Sequence, residues 1–400
     1  MRSSTIQKGL ILLLFCVSCT QNTTIDNQEG ENIYVNPDAL SFSNEHRAKM
    51  LRITYLNLGY TFPADEDMKE ILEAADEDAA QLAYEEAIDT LLESGVMHTR
   101  MLDYFLKMLG VGNKYSGTAQ ARYPANLGAY VFINNLAIDE FLTADYAIDD
   151  NQNVVSQTYA GGPPTSDQAG YITMEAYTQK YMNTRFMMKM IREIFGLNLN
   201  AKAPFAGVTM YRWDENTINP KYTEQPDNET RCIACHAAMN PARGAFHRYM
   251  GAYNTYTTSP TQSTNQYGQE DDSGGGSFVL EPLSGGSALS VSQAAQYYKI
   301  EEDGIELHTP KDLANALIVH PNFSKAWTER FLTIMLNIDE GSPGQGNVVP
   351  NHFSSNEAEE LFLEHWAEVF ESVGRKPNAF FKAFLKSKTY LVTGANPTDS

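Results

Sequence analysis

Residues 354–370, with the sequence SSNEAEELFLEHWAEVF, predict the fold class of this 400-residue chain most directly. The apolar side chains in this stretch that recur at helical spacing are Phe362, Trp366, Val369 and Phe370. Residues three and four apart share one face of an α-helix, so these side chains form a single apolar stripe. Ser354 and Glu357 stand three residues apart, as in a capping box. The stretch therefore predicts a helix whose apolar face packs onto a core.

The same helical pattern recurs along most of the chain. A helix is predicted to open near Ser43, another at Pro63, and a third at Thr309-Pro310, where Asp312 completes a capping-box-like pattern. Other apolar stripes are Tyr84, Ile88, Leu91 and Leu92 before Gly95; Met101, Phe105 and Met108 before Gly110; Met187, Ile191 and Ile194 before Gly196; and Trp327, Phe331 and Ile334. The pattern predicts a mainly α protein, an irregular multi-helix bundle with long loops.

Strand signals are sparse, and residues 129–134 are the best short candidate. Residues 149–170 and 257–286 are polar and rich in Gly, Pro or Ser, so they are predicted to form long loops. The predicted organisation is an N-terminal helical domain at 41–148, a central helical domain at 149–256, the Gly/Ser-rich loop at 257–286 and a C-terminal helical domain at 287–400.

The charge balance excludes several classes of partner. The chain has 29 Lys and Arg against 50 Asp and Glu, a formal net charge of −21. Phosphates would be repelled, so nucleic acid is not an expected partner, and electrostatic docking on anionic lipid is also disfavoured. An acidic surface instead suits a basic protein partner.

The N-terminal residues have the pattern of an export signal. Arg2 and Lys8 precede a short apolar stretch at 9–15 (GLILLLF), which is too short to span a bilayer. Ser18 directly before Cys19 resembles the lipobox of bacterial lipoproteins, in which the cysteine takes a diacylglycerol. The alternatives are an ordinary signal peptide or a buried apolar N-terminus.

The lipobox pattern predicts a lipoprotein signal peptide at 1–18, lipid attachment at Cys19 and a flexible tether at 19–40. Membrane contact would then be through the lipid anchor only. Thr20 and Gln21 do not resemble the Asp-type signal for inner-membrane retention, so the predicted location is the cell envelope, at the outer membrane.

Four cysteines occur in the chain, and the second pair stands in Cys232-Ile233-Ala234-Cys235-His236. This C-x-x-C-H pattern is the attachment motif for c-type haem. On a helical turn Cys232 and Cys235 share one face, where both can form thioethers with one porphyrin, and His236 can direct its imidazole to the iron. One covalent haem c is therefore predicted, with His236 as the proximal ligand.

Three other uses of these cysteines stay open. A zinc site would need a further ligand pair, a redox dithiol would want a βαβ context, and a disulfide across two residues would be strained. After His236, Pro241 cannot continue a helix, so it either ends the helix or turns a carbonyl toward the imidazole.

The sixth iron ligand is predicted to be Met174, because residues 170–174 (GYITM) lead from a loop into a helix. Met239 is a poor candidate, since it lies three residues after His236 on the proximal side. The other candidates are Met210, Met250, His98, His247 and His320. An open position, or water, is a further alternative.

Several stretches together resemble the monohaem c-type cytochrome-like envelope proteins of Planctomycetes, Myxobacteria and related bacteria. The stretches that carry this resemblance are 51–58 with Pro63, 91–94 (LLES), 140–146 (EFLTADY), 169–173 (AGYIT), 232–241 (CIACHAAMNP), 313–336 and 376–391. Gly244 comes one position later than in the family, so the turn after the haem segment can differ. The resemblance implies a largely helical haem protein of the cell envelope, and it implies no settled reaction.

Three functions fit these features. The first is an exported, lipid-anchored monohaem cytochrome c that transfers single electrons to or from a redox partner protein. The second is a haem enzyme of peroxidase or oxygenase type with an open distal site, for which Arg243, His247 and Arg248 are the nearest polar groups in sequence. The third is a surface binding or assembly protein in which the haem is structural. Whether the chain is an enzyme is left open at this stage.

Overall fold

The computed structural model describes residues 40–112, 120–181, 309–320, 322–337 and 357–393, together with short strands at 249–250, 255–256, 299–300 and 305–306. Of these described residues 67% are helical, which confirms the mainly α fold class. Residues 113–119, the loop at 257–286 and the predicted helix ending at Gly196 lie outside them. Within the described part of the chain, no helix combines the length and the apolar character needed to cross a membrane.

The described helices are, in chain order, α1 (Asn44–Thr54), α2 (Asp65–Leu72), α3 (Glu77–Leu92), α4 (Gly95–Leu109), α5 (Tyr123–Ile133), α6 (Glu140–Thr143), α7 (Glu175–Tyr181), α8 (Pro310–Ile318), α9 (Asn322–Met335), α10 (Glu357–Ser372), α11 (Pro377–Leu385) and α12 (Lys388–Thr393). A π-helical turn occupies Tyr55–Gly59, and 3₁₀ turns occupy Thr165–Asp167 and Gly170–Thr173. The strands form three antiparallel pairs: β1 (Tyr146–Ile148) with β2 (Val154–Ser156), β3 (Tyr249–Met250) with β4 (Thr255–Tyr256), and β5 (Lys299–Ile300) with β6 (Ile305–Glu306).

The chain divides into two compact units, each of which combines segments that are distant in sequence. Within the described residues, the first unit comprises 40–100, 328–337 and 357–393. The second comprises 101–112, 120–181, the short strands, 309–320 and 322–327. The domain boundaries predicted from the sequence remain predictions.

In the first unit, buried polar groups join the N-terminal helices to the C-terminal ones. The Tyr84 hydroxyl on α3 donates to the Leu385 carbonyl at 3.0 Å, and the hydroxyls of Thr54 and Tyr390 lie 2.9 Å apart. Burial raises the pKa of Tyr390 to about 12, so this phenol keeps its proton and can act as a hydrogen-bond donor. Aromatic rings of α9, α10 and α11 complete the core, with the Trp366 and Phe384 centroids 4.7 Å apart. The two polar contacts join residues that are 301 and 336 apart in sequence.

In the second unit, α5 passes through the middle of the core. Eight of its residues are buried, and Pro124 stands in its first turn, where a missing N–H is tolerated. Gly128 lets the helix backbone approach an aromatic ring, because a Cβ at this position would lie 2.5 Å from the Phe105 ring. The hairpin formed by β1 and β2 packs beside α5, with Tyr146 opposite Ser156. Asn126 holds the hairpin through its amide, which donates to the Ile148 carbonyl at 3.2 Å.

Several predicted helix starts are confirmed. Ser43 caps α1 by accepting the His46 N–H at 3.2 Å, and the first turn of α2 is acidic. Thr309 and Asp312 form the predicted capping box at the start of α8. The stripe predicted within residues 354–370 lies on α10, where Phe362, Trp366 and Phe370 are buried.

Two local predictions, the strand at 129–134 and the long loop at 149–170, are wrong in whole or in part. Residues 129–134 are not a strand, because they fall in and just after α5. A short apolar run can belong to a strand or to a fully buried helix, and α5 has too little polar surface to show a helical stripe. The helix with the stripe Tyr84, Ile88, Leu91 and Leu92 does end before Gly95, since α3 ends at Leu92. Gly95 then begins α4, where the Ser94 hydroxyl accepts the Met97 N–H at 3.4 Å. Residues 149–170 are only partly a loop, since they include β2 and a 3₁₀ turn.

Candidate functional site

Of the five residues predicted to bind haem or lipid, the structure describes one. Cys19, Cys232, Cys235 and His236 lie outside the described residues, as do Met239 and Pro241. Met174 lies within them, in the second unit, between the 3₁₀ turn Gly170–Thr173 and α7. The predicted loop-to-helix setting of this methionine is therefore confirmed, and its role as an iron ligand stays a prediction.

The other candidate iron ligands that the structure describes belong to different elements. His98 lies on α4, His320 follows α8 and Met250 ends β3, whereas Met210 and His247 lie outside the described residues. His98 and His320 are only partly buried. Among the residues that the structure describes, no three or more His, Cys, Asp or Glu side chains are grouped so as to hold a metal ion. The candidate functional site is accordingly built around Met174.

The backbone of Met174 is fixed by hydrogen bonds into the following helix. Met174 is extended, with φ −70° and ψ 142°. Its carbonyl accepts the N–H groups of Tyr177 and Thr178 at 3.0 Å each, and the Thr178 hydroxyl at 3.2 Å. The Met174 side chain is fully buried. The backbone at Met174 is therefore fixed, and its side chain is enclosed by protein.

Gly170 sets the turn that carries Met174. Its φ of +45° lies in the left-handed region, which a side chain disfavours. A Cβ here would lie 2.1 Å from the Phe141 carbonyl oxygen, so only glycine allows the turn to rest on α6. The Gly170 N–H donates to the Ala144 carbonyl at 2.7 Å, which closes the contact.

A buried polar network ties the turn to the hairpin. The Thr173 hydroxyl accepts the Ala169 N–H and donates to Gln157 Oε1, both at 2.8 Å. Gln157 Nε2 in turn donates to the carbonyls of Ala144 at 3.0 Å and Tyr146 at 3.1 Å. Gln157 and Thr173 are both buried, so loss of one partner would leave polar groups unsatisfied.

Aromatic rings surround the turn on its apolar side. Tyr171 stacks on Phe141 with ring centroids 4.4 Å apart and an interplanar angle of 21°. Tyr177 meets Tyr171 edge-on at 4.8 Å, and Trp327 meets Phe141 edge-on at 5.9 Å. All four rings are buried. Met174 therefore belongs to a segment that water does not reach.

The segment that follows the predicted haem attachment returns to this part of the second unit. Tyr256 follows His236 by 20 residues in the sequence. The Tyr256 hydroxyl donates to a carboxylate oxygen of Asp167 in a short, buried hydrogen bond, and the Tyr256 N–H donates to the Gly161 carbonyl at 2.5 Å. Asp167 precedes Met174 by seven residues. This contact connects the chain after the haem motif to the loop that leads to Met174.

A second carboxylate–phenol pair lies at the edge of the hairpin. The Tyr146 hydroxyl donates to Glu140 Oε2 at 3.2 Å. Burial and the neighbouring Glu140 carboxylate raise the pKa of Tyr146, so the phenol stays protonated. The pair joins β1 to α6.

Of the donor atoms that a c-type haem would need, the described residues include one, the thioether of Met174. Met174 offers a soft thioether in apolar surroundings, which is the kind of ligand that cytochromes c use opposite histidine. The cysteines predicted to form thioethers and the predicted proximal histidine belong to residues that the structure does not describe. Sequence reasoning missed Gln157, Asp167 and Tyr256, because buried polar contacts between distant segments leave no periodic signal.

No protein-family model matches this chain, and no match is found among curated proteins or solved structures. The resemblance to monohaem envelope proteins therefore stays a prediction from the motifs.

Proposed function

We propose that the protein is an exported, lipid-anchored monohaem cytochrome c that transfers single electrons in the cell envelope, at the outer membrane. Cys232 and Cys235 form the thioethers, His236 is the proximal ligand and Met174 is the sixth ligand. Cys19 carries the lipid. The observation that carries the proposal is the C-x-x-C-H pattern at 232–236 in a chain that begins with an export-type sequence.

The described part of the second unit supports Met174 as the sixth ligand in two ways. The thioether is fully buried, and the segment that carries it is fixed by Gly170 and Thr173. The Tyr256–Asp167 contact links the chain that follows His236 to the same loop. Both features would lower the conformational entropy that is lost when the two iron ligands come together during folding.

The bound haem would supply an iron that cycles between its ferric and ferrous states. The residues of this chain would provide the ligands, exclude water from the thioether side and set the preference for the reduced form. Thioether ligation and apolar surroundings both favour ferrous iron, which carries less charge.

The partner would be a basic redox protein. The chain has a net charge of −21, and opposite charge speeds encounter by steering. Electron transfer to such a partner should slow as salt is added, because screening weakens this attraction.

The experiment is an absorption spectrum of the protein purified from cells that export it and attach c-type haem. The proposal expects a reduced spectrum with a c-type α band, and haem that stays with the polypeptide after denaturation. Cys232→Ala/Cys235→Ala should abolish the covalent haem, and Thr257→Ala, outside the motif, should retain it. Protein that folds without haem under these conditions would overturn the proposal.

Spectroscopy of the ferric form separates the proposed function from a haem enzyme. A low-spin spectrum with thioether ligation supports electron transfer. A high-spin spectrum with peroxide turnover would contradict Met174 as ligand and favour the enzyme.

A further inference from the structure

Exposed apolar side chains and two arginines form a continuous surface on the first unit. We call it the arginine–aromatic surface, and its members are Arg52, Leu56, Tyr60, Phe62, Val96 and Arg100. Tyr60 is 69% exposed and Phe62 59% exposed, which is high for aromatic side chains. Leu56 and Val96 are each 39% exposed.

The two arginines lie over the two exposed rings. The Arg52 guanidinium is 5.1 Å from the Phe62 ring centroid, and the Arg100 guanidinium is 5.1 Å from that of Tyr60. Both contacts are within cation–π range. In the part of the chain that the structure describes, neither guanidinium forms an ion pair with a carboxylate. Two arginines without acidic partners are unexpected in a chain with a net charge of −21.

The backbone under this surface is held firmly. The π-helical turn Tyr55–Gly59 follows α1, and Tyr60 then adopts a left-handed conformation with φ +50°. The Tyr55 hydroxyl donates to the Ala87 carbonyl of α3 at 3.1 Å. A Cβ on Gly59 would lie 3.2 Å from Leu91 and 3.3 Å from Val96, so the turn packs closely on α3 and α4. The exposed rings are therefore presented by a rigid base.

We propose that the arginine–aromatic surface docks the first unit on the interfacial layer of a lipid bilayer. Tyrosine and phenylalanine insert favourably at the level of the headgroups. Arginine can keep its stem in the apolar layer while its guanidinium binds lipid phosphate. The combination of exposed rings, exposed aliphatic side chains and unpaired guanidinium groups matches this chemistry.

This inference rests on the lipid anchor of the proposed function, and it replaces the sequence-based expectation that the anchor alone contacts the membrane. Between Cys19 and Leu40 there are 20 residues, which can span at most about 70 Å. The surface begins at the C-terminal end of α1, whose 11 residues measure about 16 Å. The anchor would thus keep the surface within reach of the membrane, and docking would add a second point of attachment.

The net charge of the chain determines which lipid headgroups the surface can approach. The net charge of −21 repels an anionic membrane at long range, and the acidic first turn of α2, Asp65–Asp67, follows shortly after Phe62. The surface should therefore prefer zwitterionic headgroups, whose phosphate can reach the arginines without a net repulsion.

The test uses the full mature chain with Cys19→Ser, which lacks the lipid and keeps every described residue. Co-sedimentation with phosphatidylcholine vesicles is compared with vesicles that also contain phosphatidylglycerol. Binding to phosphatidylcholine is expected, with weaker binding to the anionic vesicles at low salt. High salt should reduce that difference.

The variant Tyr60→Asn/Phe62→Ala should lower the partition coefficient by about tenfold or more, because over half of each ring is available for insertion. Asn is chosen at position 60 because it tolerates the left-handed conformation. Leu82→Ala is the matched control: Leu82 is 59% exposed and lies on the face of α3 opposite Leu91. Circular dichroism checks that each variant is folded.

The inference would be overturned by any of three results: equal binding of the parent and the double variant, binding only to anionic vesicles, or no binding. The mass of the wild-type protein purified from cells tests the lipid anchor separately. Unlipidated wild-type protein would contradict the anchor while leaving the vesicle result to decide the docking surface.

Discussion

Gly170→Ala tests whether the turn that carries Met174 depends on the absence of a side chain. An L-residue at φ +45° costs about 1–2 kcal/mol. The new Cβ would also lie 2.1 Å from the Phe141 carbonyl oxygen, where ordinary contact is 3.4–4 Å. Because this oxygen belongs to the backbone and not to the flexible end of a side chain, the turn itself must move. That shift would weaken the 2.7 Å hydrogen bond from the Gly170 N–H to the Ala144 carbonyl, which is worth about 1 kcal/mol.

Together these effects should lower the free energy of unfolding of the second unit by about 3 kcal/mol or more. Chemical denaturation followed by circular dichroism measures the change. Gly95→Ala is the matched control, because nothing lies within 4 Å of its added Cβ and α4 should gain up to about 1 kcal/mol. A Gly170→Ala protein as stable as the parent would refute the argument that this glycine is required by the close approach to α6.

Three further predictions follow from particular contacts. Thr309→Ala should lower the free energy of unfolding by about 1 kcal/mol, measured by denaturation, because the capping box with Asp312 is lost; an unchanged value would contradict the cap. Hydrogen bonds from Ser41 and from buried Arg47 lower the pKa of Glu77 from 4.5 to about 2. The stabilisation of the fold by ionised Glu77 is therefore present above about pH 4.5 and is lost as the pH falls toward 2. Glu77→Gln should make the free energy of unfolding less dependent on pH in this range, and the wild-type dependence in the variant would refute the argument. Met174→Leu should change stability by less than about 1.5 kcal/mol while converting a low-spin ferric spectrum to high spin, whereas an unchanged spectrum would exclude Met174 as ligand.

The helical character of the chain could be predicted from sequence because amphipathic helices repeat apolar side chains at a regular interval. The capping box at Thr309 and the cap at Ser43 were predictable for a similar reason, since a cap is a local interaction within four residues. α5 was missed because a helix buried on nearly all sides has no polar face to reveal its period.

The packing of distant segments could not be predicted. The hydrogen bond from Tyr84 to the Leu385 carbonyl joins residues 301 apart, and no local pattern records such a pairing. The same limit applies to the surroundings of Met174. Its loop-to-helix position was predictable, but the network through Gln157 and Thr173 and the contact from Tyr256 to Asp167 depend on the folded chain.

The most direct test of the central claim is the pyridine haemochrome spectrum of the purified protein, combined with the intact mass of the polypeptide. The account predicts one haem per chain, bound through two thioethers at Cys232 and Cys235, with the mass raised by one haem. Polypeptide with no added mass and no c-type α band, from cells that attach haem to a known cytochrome c, would contradict it.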